Sequence, residues 1–278
     1  MKEIQKLELI FWGVRGTVPV SGKPFNRYGG ETTCSSIQVN KKTLFVMDAG
    51  TGIFQLSQSL KQKNAAAGLD IHLLLTHFHL DHLAGLPFFE PLYDPDTRFT
   101  FYSFAPPEIT QKQLEGLTSG SLFPINFSDT RSEKHFRSYP EEGFELEGLR
   151  IETCPLHHPQ GAVALKILGP GGTVVLATDT EHPDEGVDER LAAFAEGTGA
   201  LVYDATFCPV EYCRGRQGWG HSTWLAGTQL AGAASADALY LSHFNPEHED
   251  GRIRDFIREA RRCFKSTDGA RPGLRLRL

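Results

Sequence analysis

The chain has 278 residues, 40% of them hydrophobic and 22% charged, with a formal net charge of −6 at pH 7. That length can bury a substantial core, as one large α/β domain or two small ones, and the composition is that of an ordinary soluble globular protein. The negative charge excludes a general attraction to nucleic acid, so a polyanionic substrate would need a locally positive site.

The amino-terminal MKEIQKLELIFWGV holds a short apolar run broken by Lys6 and Glu8. It lacks the apolar core of a signal peptide and is too short to span a bilayer; no later stretch approaches membrane length, so a cytoplasmic protein with no membrane partner is expected. β-Branched and aromatic residues predict strands at 7–12, 35–39, 43–47, 71–76 and 99–103, with helices at 53–63 and 108–118. Residues 119–147 are the least regular, and read as a surface connection or part of a substrate-facing cover. Further strands at 149–154, 162–167, 174–177, 201–203 and 239–242 alternate with helices at 188–196, 222–234 and 252–264. A strand-dominated first half with hairpin-like turns, followed by alternating strand and helix, predicts a layered α/β structure with mixed sheets. With no linker or internal repeat, a single domain over 1–278 is expected. The five cysteines, Cys34, Cys154, Cys208, Cys213 and Cys263, are odd in number and lack a metal-hook spacing, which predicts reduced structural thiols.

The densest chemistry is HFHLDH, residues 77–82, directly after the apolar run 71–76. Two residues apart in extended chain, His77 and His79 project to one side, while Asp81 and His82 follow a turn and reach the same cavity from another direction. Other donors also follow strands: His157 or His158 after 149–154, Asp179 after 174–177 and His243 after 239–242. Taking one of the 157/158 pair, the set exceeds what one zinc ion needs and suits two cations, with Asp179 as the natural bridge. Imidazole and carboxylate favour zinc, manganese or iron over calcium. Asp48, in DAGTG, is placed to orient a metal-bound histidine, and either Asp48 or Thr51 to cap the following helix, two roles that can coexist. Asp204 is read as a support for the site or a cap. His182, His248, His72 and His135 carry weaker claims to a direct role.

In order along the chain, FWGVRGTVPV, RYGGETTC, DAGTGI, THFHLDHLAGLPFF, HHPQGAVALKI, ATDTEH, VYDATF, GWGHSTW and LSHFNPEHED resemble the metallo-β-lactamase superfamily, in its ribonuclease Z-like and cyclic-phosphodiesterase-like branch of metallo-hydrolases. The resemblance implies a four-layer αββα sandwich of two mixed β-sheets with the metals in a cleft at one edge. It implies two divalent metal ions, Zn2+ or Mn2+: His77, His79 and His158 on the first, Asp81, His82 and His243 on the second, Asp179 bridging. His158 is preferred to His157 because Pro159-Gln160-Gly161 follows it. Asp81 and His221 are the catalytic candidates, His221 as proton donor to the leaving alkoxide while a metal-activated hydroxide attacks phosphorus.

The expected activity is that of a phosphodiesterase on a small or cyclic phosphodiester. Short RNA is the other candidate partner, through RNA 3′-end processing, although no Gly/Pro-rich arm lies between His82 and His158. Lactone or thioester hydrolysis on the same fold is a further alternative. Outside hydrolases stand a di-iron oxidoreductase, whose pattern has a carboxylate where His79 stands, and a non-catalytic metal-binding scaffold. Homo-oligomerisation is left open.

Overall fold

Strand formation follows the apolar alternation. In the computed structural model, which describes residues 7–120 and 122–278, the first half forms β1 (Glu8–Gly13), β2 (Cys34–Gln38), β3 (Thr43–Met47), α1 (Ile53–Gln62), β4 (Asp70–Leu74), β5 (Arg98–Ser103), α2 (Pro107–Leu117) and β6 (Glu133–Ser138). The second half forms β7 (Phe144–Leu146), β8 (Leu149–Leu156), β9 (Ala162–Gly169), β10 (Gly172–Ala177), α3 (Glu189–Phe194), β11 (Ala200–Asp204), α4 (Pro209–Tyr212), α5 (Trp224–Ala233), β12 (Leu239–Ser242), α6 (Asp250–Cys263), β13 (Thr267–Gly269) and β14 (Arg275–Arg277). Residues 1–6 of the amino-terminal reading, and Ser121, lie outside the described residues.

Two seven-stranded sheets result, ordered β14-β1-β2-β3-β4-β5-β6 and β13-β12-β11-β10-β9-β8-β7. Both are mixed: β1-β2-β3 run antiparallel and β3-β4-β5-β6 parallel, while β7-β8-β9-β10 run antiparallel and β10-β11-β12-β13 parallel. One core joins their facing sides, from Leu9, Ile37, Phe45 and Met47 to Leu149, Leu165, Leu176 and Val202. Leu44, Val46, Ile71, Leu73, Phe99 and Phe101 pack on the other side of the first sheet with Ile53, Leu56 and Leu114 of the helices. On α6, Ile253, Phe256, Ile257 and Ala260 are buried, the i, i+3, i+4, i+7 stripe of a helix covering a sheet. This is the αββα sandwich expected from the resemblance.

Three expectations need correcting. Residues 119–147 contain β6 and β7 rather than only irregular chain. The hairpin-like reading of the first half holds through β3, but the α1 crossover makes β4 parallel to β3. Neither Asp48 nor Thr51 caps α1, whose N-cap is Gly52 without a side-chain bond. All five cysteines are free. Among the described residues, no helix is long and apolar enough to cross a membrane.

Candidate metal centre

Every candidate donor lies just past the carboxyl end of a strand, on one rim of the sandwich: Asp48 after β3, His77 to His82 after β4, His158 after β8, Asp179 after β10, Asp204 at the end of β11 and His243 after β12. The first sheet supplies one side of the site and the second sheet the other. Asp48, Asp179 and His243 have positive φ, 57°, 63° and 56°, where non-glycine residues are uncommon. The chain turns sharply there and sends each side chain back over the rim.

Among the described residues three groups of potential ligands form, the third being Asp204, His221 and His243, which shares His243 with the second. The rings of His77, His79 and His158 make a triangle with centroids 4.6 to 4.9 Å apart, and one donor atom from each lies within 4.8 Å of the others. Asp81, His82, Asp179 and His243 form the second group, all buried. Asp179 stands between the groups. Its Oδ1 is 3.2 Å from His243 Nε2, 3.7 Å from His77 Nε2 and 3.8 Å from His158 Nε2, and its Oδ2 is 3.2 Å from His82 Nε2. The side chain of His158 turns inward at 1% exposure while that of His157 turns outward at 62%.

Hydroxyls and carboxylates behind the rings set the tautomers. Thr76 Oγ1 donates to Asp48 Oδ2 at 2.8 Å, so it accepts from His77 Nδ1–H at 3.1 Å. Asp48 Oδ2 also accepts from His82 Nδ1–H at 2.8 Å. Thr206 Oγ1 donates to the His243 carbonyl at 2.8 Å and so accepts from His243 Nδ1–H at 3.0 Å. In each case Nε2 is left facing Asp179. Gln160 Oε1 accepts from His79 Nε2–H at 2.8 Å, which frees Nδ1 of that ring. Thr76, Thr206 and the Thr17 amide, which donates to Asp81 Oδ2 at 2.6 Å, were missed by the sequence reading. A threonine before HxHxDH was the available signal for the first.

The centre therefore turns Nε2 of His77, His82 and His243 towards the oxygens of Asp179. His77 Nε2, both ring nitrogens of His158 and both oxygens of Asp179 are buried with no hydrogen-bond partner among the described residues, an arrangement a cation resolves. The donor set of imidazole and carboxylate fits a divalent metal. Charge behaviour agrees. Burial holds His77 well below its ordinary pKa, with His82 adding to the effect, and brings His158 down to about 4, so both rings are neutral ligands at pH 7. Burial opposes ionisation of Asp179, yet His243, His82 and His77 push its pKa well below the usual range. Burial also opposes a charge on His82, but Asp179, Asp81 and Asp48 hold its pKa well above the ordinary value. The pocket calls for positive charge on Nε2, which a cation supplies in place of the proton.

His221 lies at the edge of this cluster. Its Nδ1–H donates to Asp204 Oδ2 at 3.0 Å and is 4.0 Å from Asp179 Oδ1. Burial lowers its pKa, but Asp204, then Asp179 and Asp81, outweigh that and raise it to about 9. Asp204 also accepts the amides of Asp179, Thr206 and Ser222 at 3.0, 2.9 and 3.2 Å, so it both caps the local turns and orients His221. Thr223 is the N-cap of α5, accepting from the Ala226 amide. The remaining histidines lie elsewhere: His72 is buried between the sheets, His135 is exposed on β6 and His248 bonds Glu211 at 3.1 Å. A cavity of about 640 Å³ opens beside His158. A larger one of about 840 Å³ runs along α6 but is lined by none of the candidate ligands; its Arg258, Arg261 and Arg262 pair with Asp255, Asp268 and Glu259.

Comparison with known proteins gives the family and the fold. The family model described as beta-lactamase superfamily domain matches residues 43–244, well over half of the chain. Ribonuclease Z of Nostoc punctiforme is 32% identical over 127 residues, covering 44% of this chain but 38% of that protein. Ribonuclease Z of Porphyromonas gingivalis is 21% identical over 278 residues, covering 84% of this chain and 90% of that one. The crystal structure of the metallo-beta-lactamase fold protein YhfI from Bacillus subtilis superposes with a TM-score of 0.72 at 17% identity, over 99% of this chain and 100% of that chain.

Proposed function

This chain belongs to the beta-lactamase superfamily and is a metal-dependent hydrolase, and from that premise we propose that it is a phosphodiesterase acting on a small or cyclic phosphodiester, working as one domain in the cytoplasm. In this reading His77, His79 and His158 hold one divalent cation, Asp81, His82 and His243 hold a second, and Asp179 is shared. Zinc and manganese both suit the nitrogen and oxygen donors. Bound there, the two cations supply an activated water at neutral pH and Lewis-acid stabilisation of charge on the phosphoryl oxygens.

The chain's own residues do the rest. Thr76, Asp48 and Thr206 hold three imidazoles in the tautomer that offers Nε2. Asp81, fixed by the Thr17 amide, stays anionic beside His243. As the bond from water oxygen to phosphorus forms and the bond from phosphorus to the leaving oxygen breaks, His221 gives its proton to that oxygen, and Asp204 stabilises the imidazolium beforehand. The observation that carries the reading is this pairing of a cluster of imidazole and carboxylate donors able to hold metal with a carboxylate-backed His221 at its edge.

The test is hydrolysis of bis(p-nitrophenyl) phosphate by metal-stripped protein refilled with zinc or manganese. Turnover should require metal and vanish in Asp179→Ala. No turnover with two metals demonstrably bound would sink the phosphodiesterase reading. The relatives named Ribonuclease Z favour a second reading, cleavage near an RNA 3′ end. Cleavage of a 3′-extended RNA hairpin in preference to small diesters would establish it.

A further inference from the structure

The cavity of about 640 Å³ beside His158 is walled by His157, Glu181, His182, Asp184, Gln217 and Gly218 among others. Its chemistry is more specific than its shape. Glu181 is occupied in building the wall: one oxygen accepts from the Tyr212 hydroxyl and the Gly218 amide, each at 2.6 Å, and the other from the Gly220 amide at 3.0 Å. That carboxylate holds the 217–220 turn in place and has little capacity left for a ligand.

His182 is different. Its Nδ1 is 2.8 Å from Ser222 Oγ, and Ser222 Oγ is 3.0 Å from the hydroxyl of Tyr203. Tyr203 and Ser222 are buried, and these are the bonds their hydroxyls make among the described residues. Burial also raises the Tyr203 pKa, so the phenol keeps its proton. Only one arrangement satisfies every hydrogen: Tyr203 O–H donates to Ser222, and Ser222 O–H donates to His182 Nδ1. Nδ1 is then the acceptor, and the imidazole proton sits on Nε2, which has no hydrogen-bond partner among the described residues and belongs to a side chain lining the cavity. Burial lowers the His182 pKa, which keeps this a neutral ring with one fixed donor.

We propose that this cavity binds an uncharged, hydroxyl-bearing arm of the substrate, with His182 Nε2–H as the specificity-determining donor and the exposed Asp184 carboxylate as the acceptor. The proposal rests on the phosphodiesterase reading, because the cavity adjoins His158. A donor and an anionic acceptor together suit a sugar hydroxyl, which needs both. A second phosphate would meet the exposed Asp184 carboxylate. The cavity therefore selects a diester with one neutral polar arm and rejects a continuing phosphate chain.

The experiment compares thymidine 5′-(p-nitrophenyl phosphate) with bis(p-nitrophenyl) phosphate, which share a leaving group, on the metal-loaded parent and on His182→Phe. Phenylalanine keeps a ring against Tyr212, whose centroid is 4.4 Å away, but has no donor. The kcat/KM for the thymidine ester should fall about tenfold relative to the other ester, mostly through KM, as expected for one lost hydrogen bond. An unchanged ratio overturns the assignment, whether both rates fall together or both hold. In the same assay Asp184→Lys should raise the relative rate on the thymidine ester carrying a 3′-phosphate; no rise overturns the selection against a second phosphate. An independent readout is the ¹⁵N spectrum of His182, which must show a protonated Nε2 and a bare Nδ1, and the opposite tautomer refutes the relay. A parent active on both esters but indifferent to His182→Phe marks failure of the cavity assignment alone. A metal-loaded parent that hydrolyses neither marks failure of the phosphodiesterase reading, and this inference falls with it.

Discussion

At the scale of single residues, the site depends on groups that never face the cavity. Asp179 adopts a left-handed conformation that costs roughly 1–2 kcal/mol for a non-glycine residue. It is held there in part because its amide donates to Asp204. Thr76 has the sharpest consequence. Its hydroxyl both donates to Asp48 and accepts from His77 Nδ1–H, while its amide separately donates to Asp48 Oδ1 at 2.8 Å. Thr76→Val is nearly isosteric and keeps the amide contact, so the fold should survive. His77 loses the partner that fixes its tautomer, and zinc affinity at the His77, His79 and His158 group should fall about 10- to 100-fold. Chelator competition measures this; an unchanged affinity would show that Thr76 does not orient the ring. The histidines were legible in sequence because several donors in one short run have few structural explanations. Thr76 was signalled only by its place before HxHxDH and Thr206 not at all, because a threonine near a strand end suits ordinary packing equally well and the partners Asp48 and His243 lie far along the chain.

At the scale of elements, placement comes from strand ends and from pins between loops. Arg15 is fully buried, and its guanidinium donates to the carbonyls of Gly29, Asn245 and His248 at 2.8, 3.2 and 2.6 Å. It ties the loop after β1 to the loop after β12, and so steadies both Thr17 and His243. Within β4, His72 sits opposite Phe45 in register, with ring centroids 4.9 Å apart. Burial lowers its pKa from the ordinary 6.5. Unfolding lets His72 take up a proton more readily than the folded chain does, so stability is full above the ordinary value and declines as pH falls from there towards the lower folded value. Between pH 7 and 5.5 the parent should lose more Tm than His72→Leu does, read by calorimetry on both proteins, and parallel curves would show that His72 carries none of the dependence. Central strands such as β3 and β4 were legible because apolar residues predominate in them and in the chain that follows β4. The sequence EKHFRS of β6 was not: an edge strand faces solvent and carries charge, which erases the apolar signal. The three-residue β13 and β14 offer too short a pattern to read, and the direction of β4 depended on the crossover through α1.

At the scale of the molecule, both sheets pass from antiparallel to parallel strands, and the site is assembled from the carboxyl ends on one rim. The alternation of strand and helix made the sandwich legible as a class, and the resemblance gave its layers. The rim itself was legible only as a list of strand-end residues, since which ends meet depends on contacts between distant segments, as between His82 and His243. The donors divide by sheet: His77, His79, Asp81 and His82 follow β4 of the first, while His158, Asp179 and His243 follow β8, β10 and β12 of the second. Each proposed cation would therefore take ligands from both sheets and bind them across the cleft. Each cation that binds the folded chain and not the unfolded one adds about 2.7 kcal/mol at a free concentration 100 times its Kd. For a chain of this size that corresponds to roughly 5–10 °C in Tm. Removing both metals with a chelator should lower the parent's Tm by about twice that by scanning calorimetry, and restoring zinc or manganese should recover it. Asp179→Ala deletes the shared carboxylate, so its Tm should respond far less to the same cycle. Equal responses in parent and variant would mean that metal stabilises the chain somewhere other than the junction of the two sheets.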